Sequence, residues 1–232
     1  MKKMTKALAA IMLTVATLFV AGCEREDSIQ PIVEGTEFWV DLGLPSGLQW
    51  ATCNVGASSP EDYGDYFAWG ETTPKSIYNW STYCYCNGGN DQLTKYCFLS
   101  SYGYNGFTDG LTILQPEDDA ATANYGGRTP TLEEWQELID NTTVEWTVLN
   151  EVGGCRFSGS NGNSIFLPAA GDRMHNTLHA VDMSGLYWLN SIDSQNIYSP
   201  DAACSFDFNA AGCGIGYSNR SMGFSVRAVR QN

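Results

Sequence analysis

Two histidines and a scatter of cysteines are the residues whose types and spacing invite chemistry. His175 and His179 stand four apart in RMHNTLHA, a separation that puts two imidazoles on one face of a helix and suits a metal ion. No Glu lies between them in the zincin position, and Asn176-Thr177-Leu178 carries no strong helix signal, so a turn is expected there. Cys84-Tyr85-Cys86 with Cys97 has the outline of a metal cluster. Zinc sites, however, space their first pair by two or more residues and need a fourth ligand, so buried thiols or one disulfide fit better. Glu133 and Glu134 could act as a catalytic pair, but acids in a first helical turn answer the helix dipole. No Ser-His-Asp or Cys-His set assembles by spacing, so no enzymatic activity, cofactor or resident metal is expected.

The other chemistry available is contact. Near the C-terminus, Asn209 to Asn219 reads as small, loop-like residues in no pattern, whereas Gly223 to Val229 reads as a firm apolar strand. The loose stretch is expected to be the working surface. Trp188, Tyr198 and Tyr217 would offer large contact area at low entropic cost. Asn190, Asp193, Asp201, Asp207, Asn209 and Asn219 would add polar contacts, although Asn and Asp also favour turns for their own reasons. Leu189, Cys204, Cys213 and Ile215 complete the candidate set.

The elements that must position these residues are legible in part. EFWVDLGLPSGLQWATCNVGA holds two apolar runs about a Pro-Ser-Gly turn, a hairpin. Residues 75–126 are polar and aromatic with weak periodicity, a long loop insertion packed by its own Tyr and Trp side chains. Thr131 with Glu134 three residues on forms a capping box. Leu132, Trp135, Leu138 and Ile139 then share one helical face. VEWTVLN, GCRFSGSNG, NSIFLPAAG, SGLYWLNS and MGFSVRAV read as strands, so one helix on many short strands implies an α+β domain over residues 37–232.

The N-terminus bounds the compartment. Lys2, Lys3 and Lys6 precede an apolar stretch too short to span a membrane comfortably, a signal peptide over residues 1–22. It ends VAGC, which resembles the bacterial lipobox; the resemblance implies lipidation of Cys23 and an anchor made by acyl chains. Residues 23–36 form an acidic tether, and its EREDS run resembles the export signal of cell-surface lipoproteins in some Gram-negative anaerobes. An outer-membrane, surface-exposed location is therefore expected, with the lipid as the membrane contact. A net charge of −14 repels phosphate backbones and argues against nucleic acid as a partner.

Five ordered segments, VDLGLPSGLQWATCNVGASSPEDYGDYFAWGE, RTPTLEEWQELI, IFLPAAGDR, GLYW and GFSVRAVR, resemble the Fibrobacter succinogenes major paralogous domain of gut bacterial lipoproteins. Arg128 to Trp135 and Gly223 to Arg227 are similar, more distantly, to the formylglycine-generating-enzyme branch of the C-type lectin fold. That resemblance implies short strands around one clear helix, with long ordered loops. Arg128 and Arg227 would tie loops to the core by charge-assisted hydrogen bonds. It brings neither copper nor calcium, because no motif surrounds Cys204 and Cys213, and YWLNSIDS only faintly echoes a lectin sugar motif.

Some proteins of that fold are targets of diversity-generating retroelements, with variable residues near the C-terminus. Adenine-templated codons there never yield Trp, Met, Gln, Lys or Glu. Only Gln195 among residues 190–221 belongs to those five types, which make up 37 of the 232 residues. Against the family register, Leu189, Asn190, Cys204, Asp207, Cys213 and Ile215 are unusual. The resemblance thus implies a binding module for a protein or glycan on another cell, phage or host, with a variable face over residues 189–219. A fixed glycan-binding or structural lipoprotein of the same fold is the alternative, with Trp39, Trp50, Trp69, Trp80 and Trp146 as a possible sugar platform.

Overall fold

The structure is a computed structural model that describes residues 38–232. The expected signal peptide, the lipobox Cys23 and the tether lie outside the described residues. The chain builds small antiparallel sheets with few helices, an α+β arrangement. Among the described residues no helix is long and apolar enough to cross a membrane.

The first sheet orders β1 (Trp39–Asp41), β2 (Gln49–Asn54) and the closing strand β11 (Arg227–Arg230), with β2 in the centre. A second contains β3 (Thr142–Leu149), β4 (Val152–Gly159) and β5 (Ser164–Pro168) in sequence order. The third sheet carries the candidate surface. It orders β10 (Gly212–Asn219), β9 (Ala202–Asn209) and β8 (Ser184–Trp188). A small hairpin, β6 (Asp172–Met174) and β7 (Thr177–His179), stands beside it.

The helices are α1 (Ala120–Tyr125) and α2 (Leu132–Asn141). The Thr131 side chain accepts from the Glu134 amide while the Glu134 carboxylate accepts from the Thr131 amide, so the capping box closes. Arg128 forks onto the same Glu134 carboxylate and pairs its backbone with Val229, joining the start of α2 to the terminal strand. Below, Trp135 stacks on Phe206 at 4.2 Å and meets Trp50 edge-on at 4.7 Å. One core therefore gathers α2 and all three sheets. A second core collects Trp39, Trp69, Tyr96, Trp188 and Phe224. Trp39, Trp50 and Trp69 are thus core residues, and Trp80 and Trp146 are half-buried, which leaves no sugar platform built from the five.

Three expectations need correction. Residues 75–126 do pack on their own rings, with Tyr78, Tyr83, Leu93 and Cys97 in a third cluster, but the insertion also contains α1. Asp119 caps that helix and Gly126, at φ 79°, ends it, and six residues are too few to show a periodic stripe. Gly223 to Val229 is not one strand. Gly223 bridges Arg173, Phe224 bridges Phe67, Ser225 bridges Tyr187, and only from Arg227 does the chain pair with β2. Asn209 to Asn219 is not loose, because β10 pairs with β9 residue for residue along its whole length. Its pattern was hidden by Gly212, Gly214 and Gly216, which alternate with Cys213, Ile215 and Tyr217. Glycine signals loop locally, yet here it merely leaves one face of a strand bare.

His175 sits in the turn between β6 and β7 in a left-handed conformation, and His179 pairs across from Asp172. The seven described cysteines are free thiols. Cys84 is exposed, while Cys86 and Cys97 donate to the Trp80 and Leu99 carbonyls. No metal-sized group of three or more His, Cys, Asp or Glu forms among the described residues.

The Arg227 side chain is fully buried. Its guanidinium donates to the Asn54 side-chain oxygen at 2.9 Å and to the carbonyls of Ala51, Thr52 and Phe166. Asn54 in turn donates to the Tyr187 hydroxyl at 3.2 Å, and Tyr187 donates to the Pro168 carbonyl at 3.0 Å. Four acceptors on two sheets would each lose a donor without Arg227. Arg227→Met is expected to cost at least about 3 kcal/mol, read as a lower urea midpoint for the full chain. Thr131→Ala, which removes one cap bond, is expected to cost only about 1 kcal/mol in the same measurement.

Candidate functional site

Alternation along the third sheet sorts its residues onto two faces. Tyr187, Cys204, Phe206, Phe208, Cys213 and Ile215 turn towards α2 and the first core, and Tyr217, on the same side of β10, lies beyond the edge of that core. The other face is a grid of three rows: Ser184, Asn209 and Gly212; Leu186, Asp207 and Gly214; Trp188, Ser205 and Gly216. Trp188, stacked on Phe224 at 4.2 Å, covers the third row. Of the first two rows, Ser184, Asn209, Gly212, Leu186 and Asp207, flanked by Asp172 and Ala180, line a groove of about 610 Å³.

The candidate binding residues therefore do not share one surface. Trp188, Leu189, Asp201 and Cys204 are buried and support the surface from below; they cannot touch a ligand without unpacking. Trp188 donates its indole N–H to the Phe67 carbonyl, and Leu189 packs in the first core. Asp201 accepts from the Asn90 side chain at 3.0 Å, which ties the long insertion to the start of β9. Asp207 and Asn209 border the groove, and Cys213 lies at its edge with its side chain packed against the first core.

The remaining candidates lie towards the other end of the sheet. Asn190 and Asp193 are half-buried, Asn219 is exposed, and Tyr198 and Tyr217 are 89% and 48% exposed. Ile215 is half-buried against the core. Asn190 donates its amide to the Pro130 carbonyl, and Ser191 bridges Ile113, so α2's approach and the insertion both border this end. Burial first, and then the Asp193 carboxylate, push the Tyr217 hydroxyl up.

Arg220, which anchors the hairpin, carries no sign of that role in the local sequence. It is fully buried and donates to the carbonyls of Ala202 and Tyr96 at 3.2 and 2.9 Å and also to Pro200, while its guanidinium lies over the Trp69 ring. Burial pulls its pKa down from the usual value. An Arg amid Asn, Ser and Gly looks like a solvated turn residue; only the convergence of three carbonyls marks it.

Against family models, curated proteins and solved structures, the chain shows no match. What the site can do must come from its own groups.

One of these is the Asp207 carboxyl. Its side chain reaches over Gly216, where a Cβ would stand 2.5 Å from Oδ2. Its Oδ1 is shut off from water and has no hydrogen-bond partner. Burial pushes the carboxyl above its ordinary range; the nearby Ser205 hydroxyl offsets part of this without closing a bond to Oδ1. The folded chain thus holds this proton more tightly than the unfolded one, so stability falls as pH rises through the raised pKa. Asp207→Asn is expected to raise stability by about 1 kcal/mol at neutral pH. The gain should vanish as pH drops below about 3.9, where the wild-type carboxyl is protonated even when unfolded. Chemical denaturation at several pH values reads this directly.

Proposed function

We propose that this chain is a surface-anchored bacterial lipoprotein that binds a ligand through its C-terminal sheet. Its fold would be C-type-lectin-like, of the formylglycine-generating-enzyme-like branch. The observation that carries the reading is the contrast between a fully tied hairpin and the side chains it displays. Arg220 and Asp201 hold the base of β9 and β10 to the rest of the domain, while Tyr198, Tyr217 and Asn219 project outward. Rigid support with exposed aromatic and amide groups is what a contact surface needs, because little entropy is lost on binding.

The displayed positions would be Asn190, Asp193, Tyr198, Tyr217 and Asn219, with Trp188, Leu189, Asp201, Cys204 and Ile215 as their support; Asn209, Asp207 and Cys213 would lie outside this face. The partner would be a protein or glycan on another cell, phage or host. On a protein and glycan array, the full chain is expected to bind a partner that the Tyr198→Ala/Tyr217→Ala variant binds at least about tenfold more weakly. Equal binding by the two would sink the proposed face.

Diversification has its own test. Sequencing the 3′ end of the gene across sibling isolates is expected to find substitutions at the codons of the displayed residues and none at buried Phe206 or Arg220. Sparse, uniform variation would leave a fixed module of the same fold.

A further inference from the structure

β10 is the end strand of the third sheet, eight residues long, with β9 on one side and no strand on the other. The turn at Ala210 and Ala211 closes on the pair Asn209–Gly212, and at the far end the Arg220 amide donates to the Asp201 carbonyl at 3.3 Å. Both ends fix the same alternation. Gly212, Gly214 and Gly216 aim their backbone groups in at β9, and Cys213, Ile215 and Tyr217 aim theirs out. Among the described residues nothing pairs with the outward N–H and C=O groups of those three.

Native sheets blunt such an edge with a lysine, a proline, a bulge or a very short strand. β10 carries none of these devices. Gly212–Asn219 holds no charged residue and no proline, and its register with β9 runs without a shift. A straight, uncharged row of alternating donors and acceptors complements another extended backbone.

The side chains say whose backbone that is. On one side of the strand stand half-buried Ile215 and exposed Tyr217. The other side is bare, since a Cβ at Gly212 or Gly214 would meet nothing within 4 Å, and Asp207 leans over Gly216. A second copy of β10 fits this poorly. Antiparallel pairing centred on Ile215 sets glycine against glycine, so the bare side stays bare, and it brings together two chains that each carry a net charge of −14. The groove beside Gly212 is bordered by Asp172 and Asp207 and by no Lys or Arg. Volume and charge both favour a strand that is long-chained and cationic on the glycine side.

We propose that β10 takes an extended segment of a partner protein as a fourth, antiparallel strand, one that alternates β-branched apolar residues with arginine or lysine. The apolar residues cover Ile215 and Tyr217, and the basic side chains lie across the glycines towards the acidic groove. Cys213, Ile215 and Tyr217 each exchange both backbone hydrogen bonds with the segment. The contact is made by backbone, so it does not depend on whether the Tyr198 and Tyr217 face binds a ligand.

The test is fluorescence anisotropy of a labelled peptide of alternating valine and arginine, titrated with the full chain. Saturable binding is expected. N-methylation of the valine nitrogens, which removes the donors facing β10, should abolish it, whereas N-methylation of the arginine nitrogens, which face solvent, should leave it in place. Ile215→Pro removes one outward amide and spares the bonds to β9, and should weaken binding at least about tenfold. Should Ile215→Pro fail to fold, the two methylated peptides decide the matter on the unaltered chain. No saturable binding, equal effects of the two methylation patterns, undiminished binding by Ile215→Pro, or equal binding of a valine–glutamate peptide would each overturn the proposal. So would a dimer of the chain alone in which hydrogen exchange finds the amides of Cys213, Ile215 and Tyr217 already protected.

Discussion

The buried guanidinium of Arg227 is the interaction on which the rest depends. It reaches the β2 carbonyls and the Asn54 side chain in one direction and the β5 carbonyl of Phe166 in another. Asn54 and Tyr187 pass the connection on to β8. Three small sheets of three strands each are thereby locked into one frame. A buried positive charge is tolerable because every one of these contacts is an oxygen acceptor held by the surrounding backbone. The same solution recurs at Arg220, where carbonyls from two distant segments converge on one side chain.

That frame lets the third sheet carry groups which would be costly in a weaker fold. Asp207 and Ser205 keep unpartnered oxygens, and β10 gives up side chains on one face to three glycines. Such features reduce stability, and proteins retain them where a surface must remain open or polar. The two faces differ accordingly. One end presents Tyr198 and Tyr217 to solvent, whereas the groove presents acids and aliphatic carbon.

The frame was legible in sequence where periodicity or a cap leaves a local trace. The capping box at Thr131 and Glu134, the apolar stripe through Trp135 and Leu138, and the hairpin around the Pro-Ser-Gly turn are all short-range patterns. The candidate site was legible as a segment and not as a surface. Residues 189–219 hold both its faces, but nothing local distinguishes Cys204, packed in the core, from Asn209, at the groove. The glycine alternation of β10 looks loose in the sequence because each glycine separately signals a turn. Only pairing with β9 turns it into a strand.

The sequence by itself determined the α+β character, the start of the main helix, the acidic surface and the position of the candidate segment. These follow from composition and from contacts a few residues apart. The tertiary structure decided which face each candidate residue takes, that Trp188 and Asp201 are supports, that Arg220 is an anchor, and that Asp172 meets Asp207 across a groove. Those outcomes depend on strand register and on contacts between residues far apart in the chain, where a shift of one residue would turn every side chain to the other face.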